Sequence, residues 1–149
     1  MCALPAAIFA ANEPTEVRLP PSGEPRRDMI LLVEDHDVVA GLITKVLLQR
    51  GWQVVRVLDG ARCEAEFAAN RERIALVVLD YRLPDTDGVT LCQRLRAGSA
   101  RLPVVLTSGR DQSAVMDHLE REGPTAFLPK PFFPQDVARH VAALVGTIV

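Results

Sequence analysis

The sequence predicts an α/β fold of three αβα layers, with five parallel strands and five helices. Three observations carry that expectation. Short apolar runs alternate strictly with stretches whose apolar residues fall at helical spacing, the βα pattern that builds a parallel sheet. The runs are apolar throughout rather than at every second position, as strands covered on both faces must be. Several of them also stop abruptly at an acid or a hydroxyl.

The first strand is MILLVED, residues 29–35, a continuous apolar run that closes on Glu34 and Asp35. HDVVAGLITKVLLQRG follows as a helix, with Val39, Leu42, Ile43, Val46 and Leu47 at helical spacing and Gly51 as its stop. WQVVRVLDG reads as the second strand, led by Trp52, and ARCEAEFAANRER as the second helix. IALVVLD, 74–80, is a third strand ending on Asp80. A turn built by Pro84 and Gly88 leads into the helix GVTLCQRLRAG, with Asp85 expected in the turn and Asp87 as the helix cap. LPVVLTSG is the fourth strand, SAVMDHLEREG a helix closed by Gly123-Pro124, AFLPKP the fifth strand and PQDVARHVAALVG the last helix. Right-handed crossovers leave few topologies for five such units, and they fit the flavodoxin-like order 2-1-3-4-5. Pro129 supports that order, because proline is tolerated mainly on an edge strand.

Residues 1–27 differ from the rest. Five of the eleven prolines fall there and no periodicity persists, so a largely disordered leader is expected, with the folded domain over 28–149. The opening has no Lys or Arg before its apolar part and a proline within it, which argues against a secretory signal. Cys2, Cys63 and Cys92 form no CxxC pair, and read as reduced thiols in a cytoplasmic protein. No apolar run approaches a bilayer span, and a net charge of -2 gives no general reason to expect nucleic acid or membrane as a partner.

In a parallel sheet the carboxyl ends of all strands share one edge, so Glu34, Asp35, Asp80, Thr107, Ser108 and Lys130 converge there. Carboxylates gathered in one pocket repel, and either their pKa values rise or a cation neutralises them. Hard oxygen ligands with access to water suit Mg²⁺. A carboxylate can also act as a nucleophile toward phosphorus, with a metal and a lysine neutralising the phosphoryl oxygens.

LLVEDHD, LDYRLPDTDG, LTSG and FLPKPF together resemble the four signature segments of the receiver domains of two-component response regulators. The resemblance runs over roughly residues 28–148. It implies that Asp80 is the phosphoacceptor, Asp35 a direct Mg²⁺ ligand, Glu34 a second acid acting through metal-bound water, and the backbone carbonyl of Arg82 a third protein ligand. Ser108 matches the hydroxyl that turns toward the phosphoryl group, with Gly109 behind it; Thr107 faces the other side of the strand by alternation. Lys130 matches the lysine that pairs with the phosphoryl group, the Lys130–Pro131 peptide a bond that is cis in the family, and Phe127 the aromatic switch position. The implied partners are a histidine kinase or a histidine phosphotransfer protein, with a homodimer left open, and the implied output is a changed surface on the fourth helix, fifth strand and fifth helix. No further catalytic activity is implied beyond the domain's own Mg²⁺-dependent phosphorylation and dephosphorylation.

This chain departs from the family pattern in three ways. Phe127 lacks the hydroxyl of the commoner tyrosine, Pro129 precedes the lysine, and Arg82 and Arg110 flank the site. His36, His118 and His140 read as solvated residues, and Cys63 and Cys92 as packing. A docking adaptor that is never phosphorylated is the competing expectation, and the intact acids, Ser108 and Lys130 argue against it. An aspartyl phosphatase wants a second acid where Arg82 stands, and a dinucleotide site wants a GxGxxG that the first strand does not supply.

Overall fold

The computed structural model describes residues 26–109 and 113–146, with the backbone alone over 113–115. Most of the expected leader, together with Cys2 and Arg110, lies outside the described residues. Its last two residues are tied to the domain. Arg27 donates to the carbonyls of Arg71 at 3.0 Å and Ile74 at 3.1 Å, and Arg26 pairs with Asp28.

Strands and helices alternate without interruption: β1 (Met29–Val33), α1 (Asp37–Gln49), β2 (Gln53–Val57), α2 (Gly60–Asn70), β3 (Ile74–Asp80), α3 (Gly88–Gly98), β4 (Val104–Ser108), α4 (Ser113–Glu122), β5 (Thr125–Pro129) and α5 (Pro134–Val145). All four strand pairings are parallel, and the sheet runs β2-β1-β3-β4-β5. Both β3 and α3 fall where the sequence puts them. The second strand and helix are shorter than expected. The Asp59 side chain accepts the Arg62 amide at 2.8 Å and starts α2 at Gly60, while 71–73 close a turn through the bond from the Arg73 amide to Asn70.

Successive strand residues point to opposite faces, and the core divides accordingly. Leu31, Val33, Val77, Leu79, Val104 and Leu106 face α2, α3 and α4, where Phe67, Leu91, Leu95 and Leu119 meet them. Ile30, Leu32, Leu76, Val78 and Val105 face α1 and α5, against Ile43, Leu47, Val137 and Val141. Each such buried side chain contributes about 1.5–3 kcal/mol, so the three central strands form the firmest part of the molecule. Helix α1 buries Ala40, Ile43 and Leu47, whereas Leu42 of the expected stripe is 49% exposed. Cys63 and Cys92 are buried, and burial pushes the Cys63 thiol up to about 12, as befits packing rather than reactivity. Gly51 ends α1 with φ 93°, a conformation in which glycine is favoured.

Among the described residues no helix is long and apolar enough to cross a membrane. At the edge where the strands begin, a cavity of about 490 Å³ is bordered by Arg27, Trp52, Pro103 and Val145, so the two ends of the described chain meet there.

Candidate functional site

The opposite edge, where the strands end, carries an open cleft of about 870 Å³. Each strand supplies it by stopping. β1 ends one residue before Glu34, β3 ends on Asp80, β4 ends on Ser108, and Lys130 follows β5 directly. Register does the rest: Asp80 pairs with Thr107 and Ser108 with Pro129. The Ser108 carbonyl accepts the Lys130 amide at 2.7 Å and sets the lysine beside the cleft. Glu34, Asp35, Asp80, Arg82, Ser108 and Lys130 all line it, as does Gly109, while Thr107 does not.

The acids are close. One carboxylate oxygen from each of Glu34, Asp35 and Asp80 lies within 4.8 Å of the others. Lys130 Nζ stands 3.3 Å from Asp80 Oδ2 and 3.6 Å from Glu34 Oε1. One lysine against three carboxylates leaves an excess of negative charge. Glu34 registers it: with 2% of its surface exposed, burial first and the neighbouring Asp80 second hold its carboxyl above the ordinary carboxylate range. The His36 amide partly offsets this by donating to Glu34 Oε2 at 3.1 Å. Asp35 is exposed, so water reaches the cluster.

This donor set fits a small hard cation. The three carboxylates supply charged oxygens, one of them open to solvent, which suits an ion that keeps part of its hydration shell. The loop after Asp80 also lines the cleft through Tyr81, Arg82, Leu83 and Pro84. Arg82 bridges Asp87 in antiparallel fashion. The bonds that close the bridge run from Gly88 to the Tyr81 carbonyl and from Leu83 to the Thr86 carbonyl, so the Arg82 carbonyl is not used by the bridge. The Arg82 amide turns back to Asp80 Oδ1 at 3.4 Å.

Phe127 stands apart from the cleft. It is half-buried on β5, opposite Leu106, and packs on the layer that contains Met116 and Leu119 of α4. The Lys130–Pro131 peptide is cis. Asp87 caps α3 by accepting the Thr90 amide at 2.8 Å, as expected. His36 is exposed at the start of α1, and His118 pairs with Glu122 on the surface of α4. His140 differs from expectation in being half-buried.

Sequence reading missed several residues around the site. Arg56 of β2 donates through Nε to the Glu34 carbonyl at 2.9 Å and through Nη1 to Asp37 at 2.9 Å. Asp85 is more than a turn residue, since its carboxylate accepts the amides of Gly60 at 2.8 Å and Ala61 at 3.0 Å at the start of α2. The Gly60 bond above all holds that carboxyl below its ordinary value. Beside Lys130 lies an apolar hollow of about 390 Å³ between α1 and α5, bordered by Val39, Ile43, Pro131 and Phe132. Val38 and Phe133 are 66% and 74% exposed.

Comparison with known proteins points one way. Residues 30–142 match the family described as the response regulator receiver domain. The transcriptional regulatory protein TctD of Salmonella typhimurium is 37% identical over 118 residues, covering 78% of this chain and 51% of that protein. The chain spans about half the length of the curated relatives it matches. A receiver domain protein from Clostridium thermocellum shares the fold, with a TM-score of 0.72 at 20% identity over 78% of this chain and 93% of that one. The receiver domain of the sensor histidine kinase PA1611 of Pseudomonas aeruginosa is similar at 29% identity and a TM-score of 0.65, covering 80% of this chain and 98% of that one. Its structure holds a magnesium ion coordinated in the active site cleft.

Proposed function

This chain belongs to the response regulator receiver family, and on that premise we propose that it is a phosphoacceptor switch in which Asp80 takes a phosphoryl group from a phosphohistidine. The observation that carries the reading is the geometry at Asp80, a buried carboxylate with Lys130 Nζ at 3.3 Å and two further acids in reach of one cation. An Asp80 oxygen forms the new O–P bond as the N–P bond of the donor breaks, and the departing imidazole keeps the electron pair. Glu34, Asp35, Asp80 and the Arg82 carbonyl would hold Mg²⁺, which neutralises the equatorial phosphoryl oxygens. Lys130 then exchanges its pairing with Asp80 for the phosphoryl group, and Ser108 turns its hydroxyl toward the same oxygens. Phe127, packed against the α4 layer, links that local charge to the α4-β5-α5 surface, where a partner reads the change.

The donor is a histidine kinase or a histidine phosphotransfer protein, and the setting is cytoplasmic. The apolar hollow that shares Lys130 and Val39 with the cleft and holds the half-exposed Leu42 supports a protein donor, because an amphipathic helix laid beside Asp80 would cover it. The domain has no activity beyond its own phosphorylation and dephosphorylation.

Incubation with Mg²⁺ and a small phosphodonor, followed by intact mass measurement, tests the reading. A phosphate-sized gain that disappears in Asp80→Asn is expected. A folded, Mg²⁺-binding protein that gains no mass would favour a docking adaptor that works without phosphorylation.

A further inference from the structure

Beside Asp80 at the end of β3, the oxygens proposed to hold the cation sit on two loops, one carrying Glu34 and Asp35 and the other carrying the Arg82 carbonyl. Neither loop is held only by its own strand. Beyond the end of β1, both backbone groups of Glu34 are bonded to β2: its amide donates to the Val57 carbonyl at 3.2 Å, and its carbonyl accepts Arg56 Nε at 2.9 Å. The same guanidinium reaches Asp37 at 2.9 Å, so it spans the loop from Glu34 to the start of α1. Its remaining Nη2 is buried with no hydrogen-bond partner among the described residues. An unsatisfied buried donor is unfavourable, and the guanidinium keeps this position through the two bonds to the loop.

The second loop is seated on the next few residues of the same segment. The Asp85 carboxylate accepts the Gly60 and Ala61 amides, and a Cβ at Gly60 would lie 2.6 Å from Thr86 Cγ2. Only a residue without a side chain lets the loop approach α2 so closely. One continuous stretch, residues 56–61 at the edge of the sheet, therefore grips both loops that bear the cation's oxygens.

We propose that Arg56 and the α2 start at Gly60-Ala61 are positioning elements that set the spacing between the Glu34-Asp35 acids and the Arg82 carbonyl, and thereby the affinity for a divalent cation. The inference rests on the phosphoacceptor reading for the identity of the ligand set. Supporting partners of metal ligands shift affinity by roughly ten- to a hundredfold when removed. A guanidinium holds two acceptors in a fixed planar geometry that the point-like ammonium does not reproduce.

Titration calorimetry with Mg²⁺ on the full chain tests this, with circular dichroism of the chelated protein confirming that each variant is folded. Arg56→Met and Asp85→Ala should each weaken Mg²⁺ binding roughly tenfold, and Arg56→Lys should recover part of the first loss. Arg94→Met, which breaks the α3–α2 ion pair with Glu64 at 3.6 Å, should leave the affinity unchanged and so separates positioning from general weakening of the fold. If Arg56→Met does not fold, Asp37→Ala, which removes one of the two Arg56 bonds, should still lower the affinity. Wild-type affinity in folded Arg56→Met or Asp85→Ala, or in folded Asp37→Ala where it stands in, overturns the proposal. A wild-type chain that binds no Mg²⁺ would instead overturn the phosphoacceptor reading beneath it.

Discussion

Two carboxylates near the cleft are displaced in opposite directions, and each has its own consequence for pH. Glu34 is pushed upward by burial and by Asp80, so the folded chain binds its proton more tightly than the unfolded chain does. Its contribution to stability is full below the ordinary carboxylate range and is lost as pH rises through the raised value. In chelated protein, Glu34→Gln should therefore be more stable than wild type at neutral pH. The advantage should vanish in acid, as read by urea denaturation at both pH values. Asp85, held down by the Gly60 amide, behaves oppositely, and its contribution is present at neutral pH and lost as pH falls. Because cation binding requires the ionised acid, Mg²⁺ affinity should also rise with pH across the Glu34 titration.

At the scale of elements, one buried arginine holds more of the molecule together than its type suggests. Arg96, in the last turn of α3, donates to the carbonyls of Leu102, Leu119 and Pro124 and to the Thr125 hydroxyl, at 2.7–3.1 Å. It thus ties the C-terminal part of α4 to the starts of β4 and β5. Burial holds its guanidinium below the ordinary value, and the aligned carbonyls at the helix ends compensate. Arg96→Met should destabilise by about 3 kcal/mol, since several buried carbonyls lose their donor, and a fall in urea midpoint checks this. Gly88, which opens α3, has a different constraint. A Cβ there would lie 2.7 Å from Leu106 Cδ1 and 2.9 Å from the Asp80 carbonyl. Gly88→Ala should cost about 1–3 kcal/mol and displace the end of β3, visible as reduced Mg²⁺ binding along with the lower midpoint.

For the molecule as a whole, the sheet order and the line of chemical groups at its carboxyl edge were legible because both follow from local pattern. Double-sided apolar runs imply a parallel sheet, and a parallel sheet aligns every strand end. Arg56, Asp85 and Arg96 were illegible for the complementary reason. Each acts on residues distant in sequence: helical spacing puts Arg96 on the face of Leu91, Cys92 and Leu95 and leaves Arg94 off it, but it does not reveal the carbonyls that a guanidinium meets there. The α1 stripe erred by position: Leu42 has the right spacing but turns outward at the apolar rim. A ligand that binds only the folded state stabilises the whole chain, by about 2.7 kcal/mol at a hundred times its Kd. Mg²⁺ should therefore raise the unfolding midpoint of wild type but scarcely that of Asp35→Asn, measured by denaturation with and without the cation.

The cavity that Arg27 and Val145 share lies at the edge where the strands begin, across the sheet from the acids. Arg27 and Val145 thus carry the chain out of the described residues at one place, remote from the cleft. Domains whose ends lie close together tolerate being spliced into other chains or permuted. A version in which a short linker joins Arg27 to Val145 and new termini open elsewhere should therefore keep its fold and Mg²⁺ affinity, measured by calorimetry, so this unit can be set within a neighbouring polypeptide with its cleft outward.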